Sequence, residues 1–349
     1  MTFDRTLRTH TVSSRSLHAK LGMLATLCAA TLSWAAGTAH AQSPSAVRVT
    51  ELSETSHPYT VWHCARLPIE VRTIGQLLEV VVGGDSRILV QSMAASGARY
   101  VAPGDESTVF WSKGGLANVT WSGNDLPTCA EAGTLVTPFS ASGNEPFWAL
   151  NYNGWQIEFS EPGQPVRRFE IDGQVPANGG WRLQSAQGQA PLQVNVTNAV
   201  CQDTMSGVIR PYTVEVNFEG RRMKGCGGDA ARLLQGVEWT LDSLGGNRLT
   251  VPASLTFMPN GRLAGSNGCN RLMGAYEITG EGLRFSQMVS TRMACEPGVM
   301  QLADRVDQYL STVHGFSFNE QGALVLHAEQ GEITANVARQ VVPLAPESR

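Results

Sequence analysis

The sequence lacks the motifs by which enzymes commonly bind metals and nucleotides. Its seven cysteines form no CxxC pair, and histidine is scarce. After residue 41 only four histidines remain, and these show no metal-ligand spacing: His57, His63, His314 and His327. Zinc sites need clustered ligands, and a phosphate-binding loop needs a lysine after its glycines. We therefore expect neither a metal nor a cofactor.

A histidine-centred catalytic triad motif is also missing. Glu145, Asp203 and Ser206 supply an acid, a base and a nucleophile by residue type, but no histidine accompanies them. The surroundings of Ser206 do not predict the strand-turn-helix of a nucleophile elbow. Turn and capping roles are therefore favoured for these three residues, and the chain is not predicted to be an enzyme.

The one extended apolar run lies in the first 41 residues. Four basic residues precede an apolar run at 21–34, and Ala39-His40-Ala41 provides a cleavage site before Gln42. This is the pattern of a cleaved signal peptide. A membrane span is disfavoured, because it needs about 20 apolar residues and this run is shorter. A lipid anchor on Cys28 is the alternative, but Leu27 is bulky where a lipoprotein signal has a small residue. We expect export as a soluble periplasmic protein with no stable membrane span.

Removal of that leader makes the chain more acidic. It takes away four basic residues and one acidic residue, which leaves 22 basic and 29 acidic residues and a net charge of −7. An acidic balance argues against nucleic acid as a partner. It suits a basic protein partner, whose association it accelerates at low salt.

Six cysteines remain after the leader, and an even number in an oxidising compartment suggests disulfides. Six cysteines allow 15 pairings. Their order along the chain gives three neighbouring couples: Cys64 with Cys129, Cys201 with Cys226, and Cys269 with Cys295. Each bridge is expected to add about 3 to 4 kcal/mol of stability to its part of the chain.

The strand period of two dominates the patterning. Apolar or alternating runs at 77–82, 193–197 and 213–218 predict strands, and turn residues separate such runs throughout. One helix is predicted at 298–313, with Pro297 near its start and an apolar face. That face comprises Val299, Leu302, Val306, Tyr309, Leu310 and Val313. Weakly patterned stretches at 130–138 and 229–235 divide the chain into three modules, so the predicted fold class is mainly β.

The first module, residues 50–130, has two distinctive runs between its cysteines. They are Ser-Gly-Ala-Arg-Tyr at 96–100 and Trp-Ser-Lys-Gly at 111–114. These runs and the flanking cysteines resemble the family of membrane-bound or periplasmic inhibitors of C-type lysozyme. The resemblance implies a small antiparallel β-barrel and C-type lysozyme as the partner.

The same resemblance assigns the site. Ser96 and Lys113 are implied to enter the enzyme's cleft, Gly97 and Gly114 to shape their loops, and Arg99 with Tyr100 to add contacts at the rim. From spacing alone, a serine before a glycine is an ordinary turn residue, and a single lysine is an ordinary solvated side chain.

The second module, residues 138–229, contains the runs Ser-Gly-Asn-Glu-Pro-Phe-Trp at 142–148 and Cys-Gln-Asp-Thr-Met-Ser-Gly at 201–207. They resemble a family of uncharacterised bacterial envelope domains, which implies no activity. Trp148, Trp155 and Trp181 have the residue type that stacks on sugars, but tryptophans in a β-rich module more often belong to its core. No site is assigned in this module.

The third module, residues 233–335, precedes a predicted C-terminal tail at 336–349. It contains Trp-Thr-Leu at 239–241, Asn-Gly-Arg at 260–262, Gly-Ser-Asn-Gly-Cys-Asn at 265–270 and Ser-Thr-Arg-Met-Ala-Cys at 290–295. These runs resemble META or heat-shock-protein-J-like domains, which implies an α+β module linked to envelope stress. The leading hypothesis is a lysozyme inhibitor that protects peptidoglycan, and the alternative is a non-inhibitory stress-response or structural protein of the envelope.

Overall fold

Antiparallel strands form most of the protein, as the fold class predicted from sequence requires. The computed structural model describes residues 57–177 and 179–339. The predicted signal peptide at 1–41, Cys28, the first residues of the first module at 50–56 and the end of the tail at 340–349 lie outside the described residues. All described residues belong to one folded unit.

The first barrel contains nine strands. They are β1 (Thr60–Cys64), β2 (Leu67–Ile74), β3 (Leu77–Val82), β4 (Asp85–Ser92), β5 (Ala98–Ala102), β6 (Asp105–Lys113), β7 (Leu116–Trp121), β8 (Asn124–Asp125) and β9 (Cys129–Glu131). The sheet runs β6-β5-β4-β3-β2-β1-β9-β7, and pairing of β7 with β6 closes it. The strand predicted at 77–82 is confirmed as β3, whose residues alternate between half-buried and buried. Inside the barrel, Trp62 meets Phe110 edge to face with ring centroids 5.3 Å apart.

The second barrel is closed by eight strands, with a separate two-stranded ribbon of β16 and β17. Its elements are β10 (Phe139–Asn144), β11 (Phe147–Tyr152), β12 (Gln156–Ser160), β13 (Arg167–Ala177), β14 (Gly180–Ser185), β15 (Leu192–Thr197), β16 (Cys201–Gln202), β17 (Ile209–Arg210), β18 (Tyr212–Phe218) and β19 (Arg221–Gly227). The strands predicted at 193–197 and 213–218 are confirmed within β15 and β18. Phe159 and Phe218 are 1 % exposed at the centre of its core.

The third sheet has eight strands in the order β24-β23-β22-β21-β20-β27-β26-β25. They are β20 (Glu238–Leu244), β21 (Asn247–Phe257), β22 (Arg262–Ser266), β23 (Arg271–Thr279), β24 (Gly282–Ser290), β25 (Val313–Phe318), β26 (Leu324–Ala328) and β27 (Gly331–Arg339), with helix α1 (Pro297–Leu310) between β24 and β25. Short 3-10 helices span Ala230–Leu233 and Pro259–Gly261. Strand β27 continues four residues into the segment that the sequence assigns to the tail.

Helix α1 is confirmed, but its predicted end was wrong. It ends at Leu310 because Ser311 and Thr312 donate their backbone N–H groups back to Asp307 and Tyr309 in a closing turn. Val313, predicted as the last helical residue, is the first residue of β25. The helix buries Ala303, Val306 and Leu310, and the last two belong to the hydrophobic core of the third sheet.

The six cysteines of the described residues form three disulfides: Cys64–Cys129, Cys201–Cys226 and Cys269–Cys295. The first joins β1 to β9, which are paired strands of the first barrel. The second links the β16–β17 ribbon to β19 of the second barrel. The third connects the loop after β22 to the segment that leads into α1. Each bridge therefore closes a loop within one of the three modules predicted from the sequence.

The first barrel also contacts the third sheet. The backbone N–H of Arg66, in the turn between β1 and β2, donates to the carbonyl oxygen of Gln235 at 3.1 Å. The Arg66 guanidinium lies 5.1 Å from the ring centre of Trp239 and 5.6 Å from that of Phe318. A β-carbon at Gly236 would lie 2.6 Å from the Cys64 carbonyl oxygen, so the two backbones touch at a position where only glycine fits.

Candidate functional site

The loop that bears Ser96 connects β4 to β5 and is exposed from residue 93 to residue 97. Gly97 has a φ of +71°, a conformation that L side chains rarely adopt. A β-carbon on Gly97 would collide with the carbonyl oxygen of Ser112 and lie 3.3 Å from the β-carbon of Lys113. The Ser96 loop is therefore packed directly on the end of β6 that bears Lys113.

A tryptophan fastens this loop. The indole Nε1 of Trp111 donates a 2.9 Å hydrogen bond to the backbone carbonyl oxygen of Ser96. Trp111 is 39 % exposed on the outer face of the barrel, opposite Arg99 on β5 and Asn118 on β7. Trp111 was not among the site residues predicted from the sequence. Its signal was the Trp-x-Lys spacing, which places both side chains on the same face of a strand.

Lys113 is the last residue of β6 and pairs with Leu116, the first residue of β7. A two-residue turn of Gly114 and Gly115 joins them, and Gly114 has a φ of +62°. Such short hairpins need residues that tolerate positive φ, which explains the glycine after Lys113. The Gly115 carbonyl oxygen accepts a 2.9 Å hydrogen bond from the Glu131 N–H, so the turn is fixed on β9 as well.

The structure brings Ser96 and Lys113 together on the wall of one surface depression of about 310 Å³. Its lining contains both polar and apolar side chains: Ser96, Trp111, Lys113, Leu116, Ala117, Asn118, Thr128 and Thr137. Both Ser96 and Lys113 are exposed. The depression therefore presents a hydroxyl and an ammonium group beside an indole ring.

The two predicted rim residues have different surroundings. Arg99 is half-buried, and its Nη1 donates to the Ser92 Oγ at 2.7 Å, which fixes the guanidinium beside the Ser96 loop. Tyr100 pairs with Phe110 across the strands and packs partly against the first core. Arg99 is thus on the outer face with Trp111, whereas Tyr100 contributes to the barrel's packing.

Of the acid, base and nucleophile considered in the second module, Asp203 and Ser206 share one turn, whereas Glu145 is exposed in the separate turn between β10 and β11. The Asp203 Oδ1 accepts hydrogen bonds from the Ser206 N–H at 2.7 Å, the Ser206 Oγ at 2.9 Å and the Met205 N–H at 3.1 Å. Burial alone raises the pKa of the Asp203 carboxyl, but these bonds and one from Asn144 lower it below its ordinary value. The hydroxyl of Ser206 therefore serves a carboxylate in a capped turn.

The second barrel's tryptophans divide between core and surface. Trp148 is 3 % and Trp181 8 % exposed, and both belong to the core. Trp155 is 58 % exposed on the surface. Two of the three indoles are therefore unavailable for stacking on a sugar ring.

A polar row crosses three strands of the third sheet. The Ser317 Oγ lies 2.9 Å from the His327 Nε2, and the His327 Nδ1 lies 3.4 Å from a Glu332 carboxylate oxygen. Cross-strand pairing of His327 with Glu332 accounts for this row as an ordinary sheet contact. The glutamate side chain is 62 % exposed, unlike the buried carboxylate that orients a catalytic histidine.

The glycine-rich run of the third sheet, at 265–270, is organised around Asn267, which is fully buried. Its Oδ1 accepts from the Cys269 and Asn270 N–H groups, and its Nδ2 donates to both carboxylate oxygens of Asp307 on α1 at 3.0 Å. This run therefore locks the helix to the sheet. Among the described residues, no group of three or more histidines, cysteines or acids has a metal-binding arrangement. No helix in that part of the chain is long and apolar enough to cross a membrane.

Two family sequence models match the chain. The one described as membrane-bound lysozyme-inhibitor of c-type lysozyme matches residues 62–127, and the one described as META domain matches residues 232–340. No curated protein matches the chain. The resemblance of the second module, 138–229, to bacterial envelope domains stays a prediction.

Two solved structures are similar to parts of the chain. An NMR structure is 22 % identical over 32 % of this chain and 97 % of its own, with a TM-score of 0.28. A second NMR structure, of a protein from Burkholderia xenovorans, is 25 % identical over 30 % of this chain and 83 % of its own, with a TM-score of 0.26. The two family matches show that the chain joins a domain of the family of membrane-bound inhibitors of C-type lysozyme to a META domain, neither of which is an enzyme family.

Proposed function

We propose that the protein inhibits C-type lysozyme by inserting the Ser96 loop and the Lys113 turn into the enzyme's catalytic cleft. The observation that carries the proposal is the joint position of Ser96 and Lys113 on one exposed depression, within the segment that matches the inhibitor family. The function is protection of peptidoglycan after export to the periplasm.

The chemistry of the target fits these two side chains. C-type lysozymes use one protonated carboxylic acid and one ionised carboxylate in a groove. A serine hydroxyl donates a hydrogen bond to a carboxylate, and a lysine ammonium offers three donors and a compensating charge. Such charge-assisted hydrogen bonds are about twice as strong as neutral ones. Ser96 and Lys113 therefore supply what two acidic groups in a groove accept.

The remaining predicted contacts act through shape. Gly97 and Gly114 hold the two protruding segments in conformations with positive φ, and a preformed loop loses less entropy on binding. Arg99 and Trp111 lie side by side on the outer face. Arginine and tryptophan are enriched among residues that dominate binding energy at interfaces. We assign Arg99 to the rim of the contact and Trp111 to its centre, whereas Tyr100, predicted as a second rim residue, packs partly against the barrel core.

The test is a cell-wall lysis assay with purified C-type lysozyme and the exported chain. We expect inhibition at micromolar or lower concentration, and Ser96→Ala and Lys113→Ala should each weaken it by about 1 to 3 kcal/mol. Ser140→Ala and Lys224→Ala are matched controls, because both residues are exposed on the second barrel. Absence of inhibition would reject the proposal. Parallel titrations of C-type, goose-type and invertebrate-type lysozymes would define the target.

The META domain supports a second function of a different class. If the chain is stably folded yet binds none of these lysozymes, a stress-response or structural role in the envelope is the better account. A pull-down from envelope extracts with the full chain would then recover peptidoglycan or an outer-membrane protein.

A further inference from the structure

The segment that connects the first two barrels, residues 132–138, passes directly beside the Lys113 turn. A β-carbon on Gly115 would collide with the side chain of Thr134. The Thr134 N–H donates to the Glu131 carbonyl oxygen, and the Glu131 N–H donates to the Gly115 carbonyl oxygen, both at 2.9 Å. The connecting segment therefore packs against the turn through Thr134 and is linked to it by two backbone hydrogen bonds through Glu131.

The second barrel holds this segment in place. The Trp181 Nε1 donates to the Gly133 carbonyl oxygen at 2.7 Å. The Gln174 side chain makes two bonds with the backbone of Leu135: its Oε1 accepts from the N–H at 2.8 Å, and its Nε2 donates to the carbonyl oxygen at 3.3 Å. The Leu135 side chain is fully buried in the second core. The conformation of the connection is thus set by residues 39 and 48 positions further along the chain.

The same segment supplies part of the depression. Thr137 lines it together with Ser96, Trp111 and Lys113, although Thr137 lies ten residues beyond the segment that matches the inhibitor family. Leu135 is buried inside the second barrel only two residues before Thr137. The wall of the depression therefore depends on two barrels.

We propose that the second barrel is a working part of the lysozyme-binding surface. It fixes the connecting segment, which buttresses the Lys113 turn through Thr134 and adds Thr137 to the contact with the enzyme. This inference depends on the proposed function, because it names residues that position and extend that site. It gives the second barrel a role that requires no activity of its own.

The expected signature is kinetic. A turn that is held in its binding conformation loses less entropy when the complex forms, and most effects of this kind appear in the dissociation rate. Trp181→Phe keeps an aromatic ring in the core but removes the hydrogen bond to Gly133. Gln174→Ala removes both bonds to Leu135. In the full chain, each variant should dissociate from lysozyme about three to ten times faster than the unmodified protein.

Matched controls come from the same barrel. Trp155→Phe changes an exposed indole, and Gln193→Ala removes a side-chain bond to Asn195 instead of one to the connection. Neither control should change the dissociation rate. Thermal unfolding of every variant separates a local effect from loss of the fold. Thr137→Tyr tests the contact itself, because it adds bulk to the wall of the depression and leaves Trp181 and Gln174 unchanged.

A double-mutant cycle decides whether the second barrel acts through Lys113. If it does, Trp181→Phe loses most of its effect in a Lys113→Ala background, since the positioned group is gone. Equal effects of Trp181→Phe in both backgrounds would overturn the inference. It would also be overturned if Lys113→Ala weakens inhibition but Trp181→Phe, Gln174→Ala and Thr137→Tyr do not. Either result would leave the proposed function standing. A full chain that inhibits no lysozyme would overturn both.

Discussion

Trp111 and Ser96 are joined by a hydrogen bond from an indole ring to a backbone carbonyl oxygen, 2.9 Å long, between strand β6 and the β4–β5 loop of the first barrel. The bond occupies the side-chain donor of one residue and the main-chain acceptor of the other. The Ser96 hydroxyl is thereby left available, while the loop that presents it is anchored.

Trp111→Phe should therefore weaken lysozyme binding without unfolding the barrel. Loss of one hydrogen bond to an exposed loop costs about 1 kcal/mol, or about a fivefold rise in the dissociation constant. Surface-immobilised lysozyme with the variant in solution would measure it. Trp155→Phe, an exposed indole on the second barrel, is the control, and equal affinity of the two variants would contradict the anchoring role.

Gly97 and Gly104 offer a matched pair at opposite ends of β5. Both have positive φ, +71° and +76°, but a β-carbon at Gly104 meets nothing within 4 Å, whereas one at Gly97 collides with the Ser112 carbonyl oxygen. Alanine in this conformation costs about 1 to 2 kcal/mol. Gly97→Ala should lower the free energy of unfolding by more than Gly104→Ala does in urea titrations, and only Gly97→Ala should also reduce inhibition. Equal losses of stability would show that the close contact relaxes freely.

Asp307 should make the third sheet less stable as the pH rises. Burial raises the pKa of its carboxyl, although hydrogen bonds from Asn267 oppose the shift. A group with a raised folded-state pKa adds stability below its unfolded pKa, and this contribution is lost as the pH rises through the folded value. Between about pH 3 and pH 7, Asp307→Asn should therefore gain stability relative to the unmodified chain. Asp172→Asn, at an exposed position of β13, is the control.

Asp203 should behave in the opposite sense. Its hydrogen bonds lower the pKa of the carboxyl against the effect of burial. Its contribution is present above the unfolded pKa and is lost as the pH falls through the folded value. Asp203→Asn should therefore be most destabilising at neutral pH and least in acid. Chemical denaturation at several pH values measures both aspartates, and pH slopes of the same sign would contradict the assigned causes.

Arg66 should couple the first barrel to the META domain. Its guanidinium lies over the rings of Trp239 and Phe318, a cation–π arrangement that contributes about 0.5 to 2 kcal/mol. Arg66→Ala should lower the free energy of unfolding by about 1 kcal/mol and increase hydrogen exchange at the β1–β2 turn. Arg248→Ala is the control, since that side chain is 85 % exposed. Unchanged exchange at the turn would show that the backbone contacts alone hold it.

Sequence patterning predicted the strands where alternation was strict, as in β15 and β18, because one face of each is buried. It placed the end of α1 too late, since Val313 continues the apolar spacing of Val306 and Leu310 although it belongs to a strand. The family resemblance supplied Ser96 and Lys113, and the Trp-x-Lys spacing puts Trp111 on the same strand face as Lys113, but the hydrogen bond from Trp111 to Ser96 was visible only in the structure. Long-range contacts of this kind leave no local signal.

The connection between the barrels shows most clearly that local sequence patterns do not predict long-range contacts. Residues 130–138 have weak patterning and were interpreted as a boundary, yet Leu135 is a core residue whose backbone is bonded to Gln174, 39 positions away. Neither side-chain period nor turn chemistry encodes a partner at that distance. The role of such a segment follows only from the tertiary structure.

Burial of Leu135 also has a thermodynamic consequence. The connection does not act as a flexible linker between two independent barrels. Exposing it would remove the Leu135 side chain from a packed core and leave a cavity there. We expect one shared melting transition for the two barrels in calorimetry, and resistance of the connection to proteases that cut exposed loops. A substitution that destabilises the second barrel will then lower the amount of folded, active inhibitor, even when it changes no residue of the binding surface.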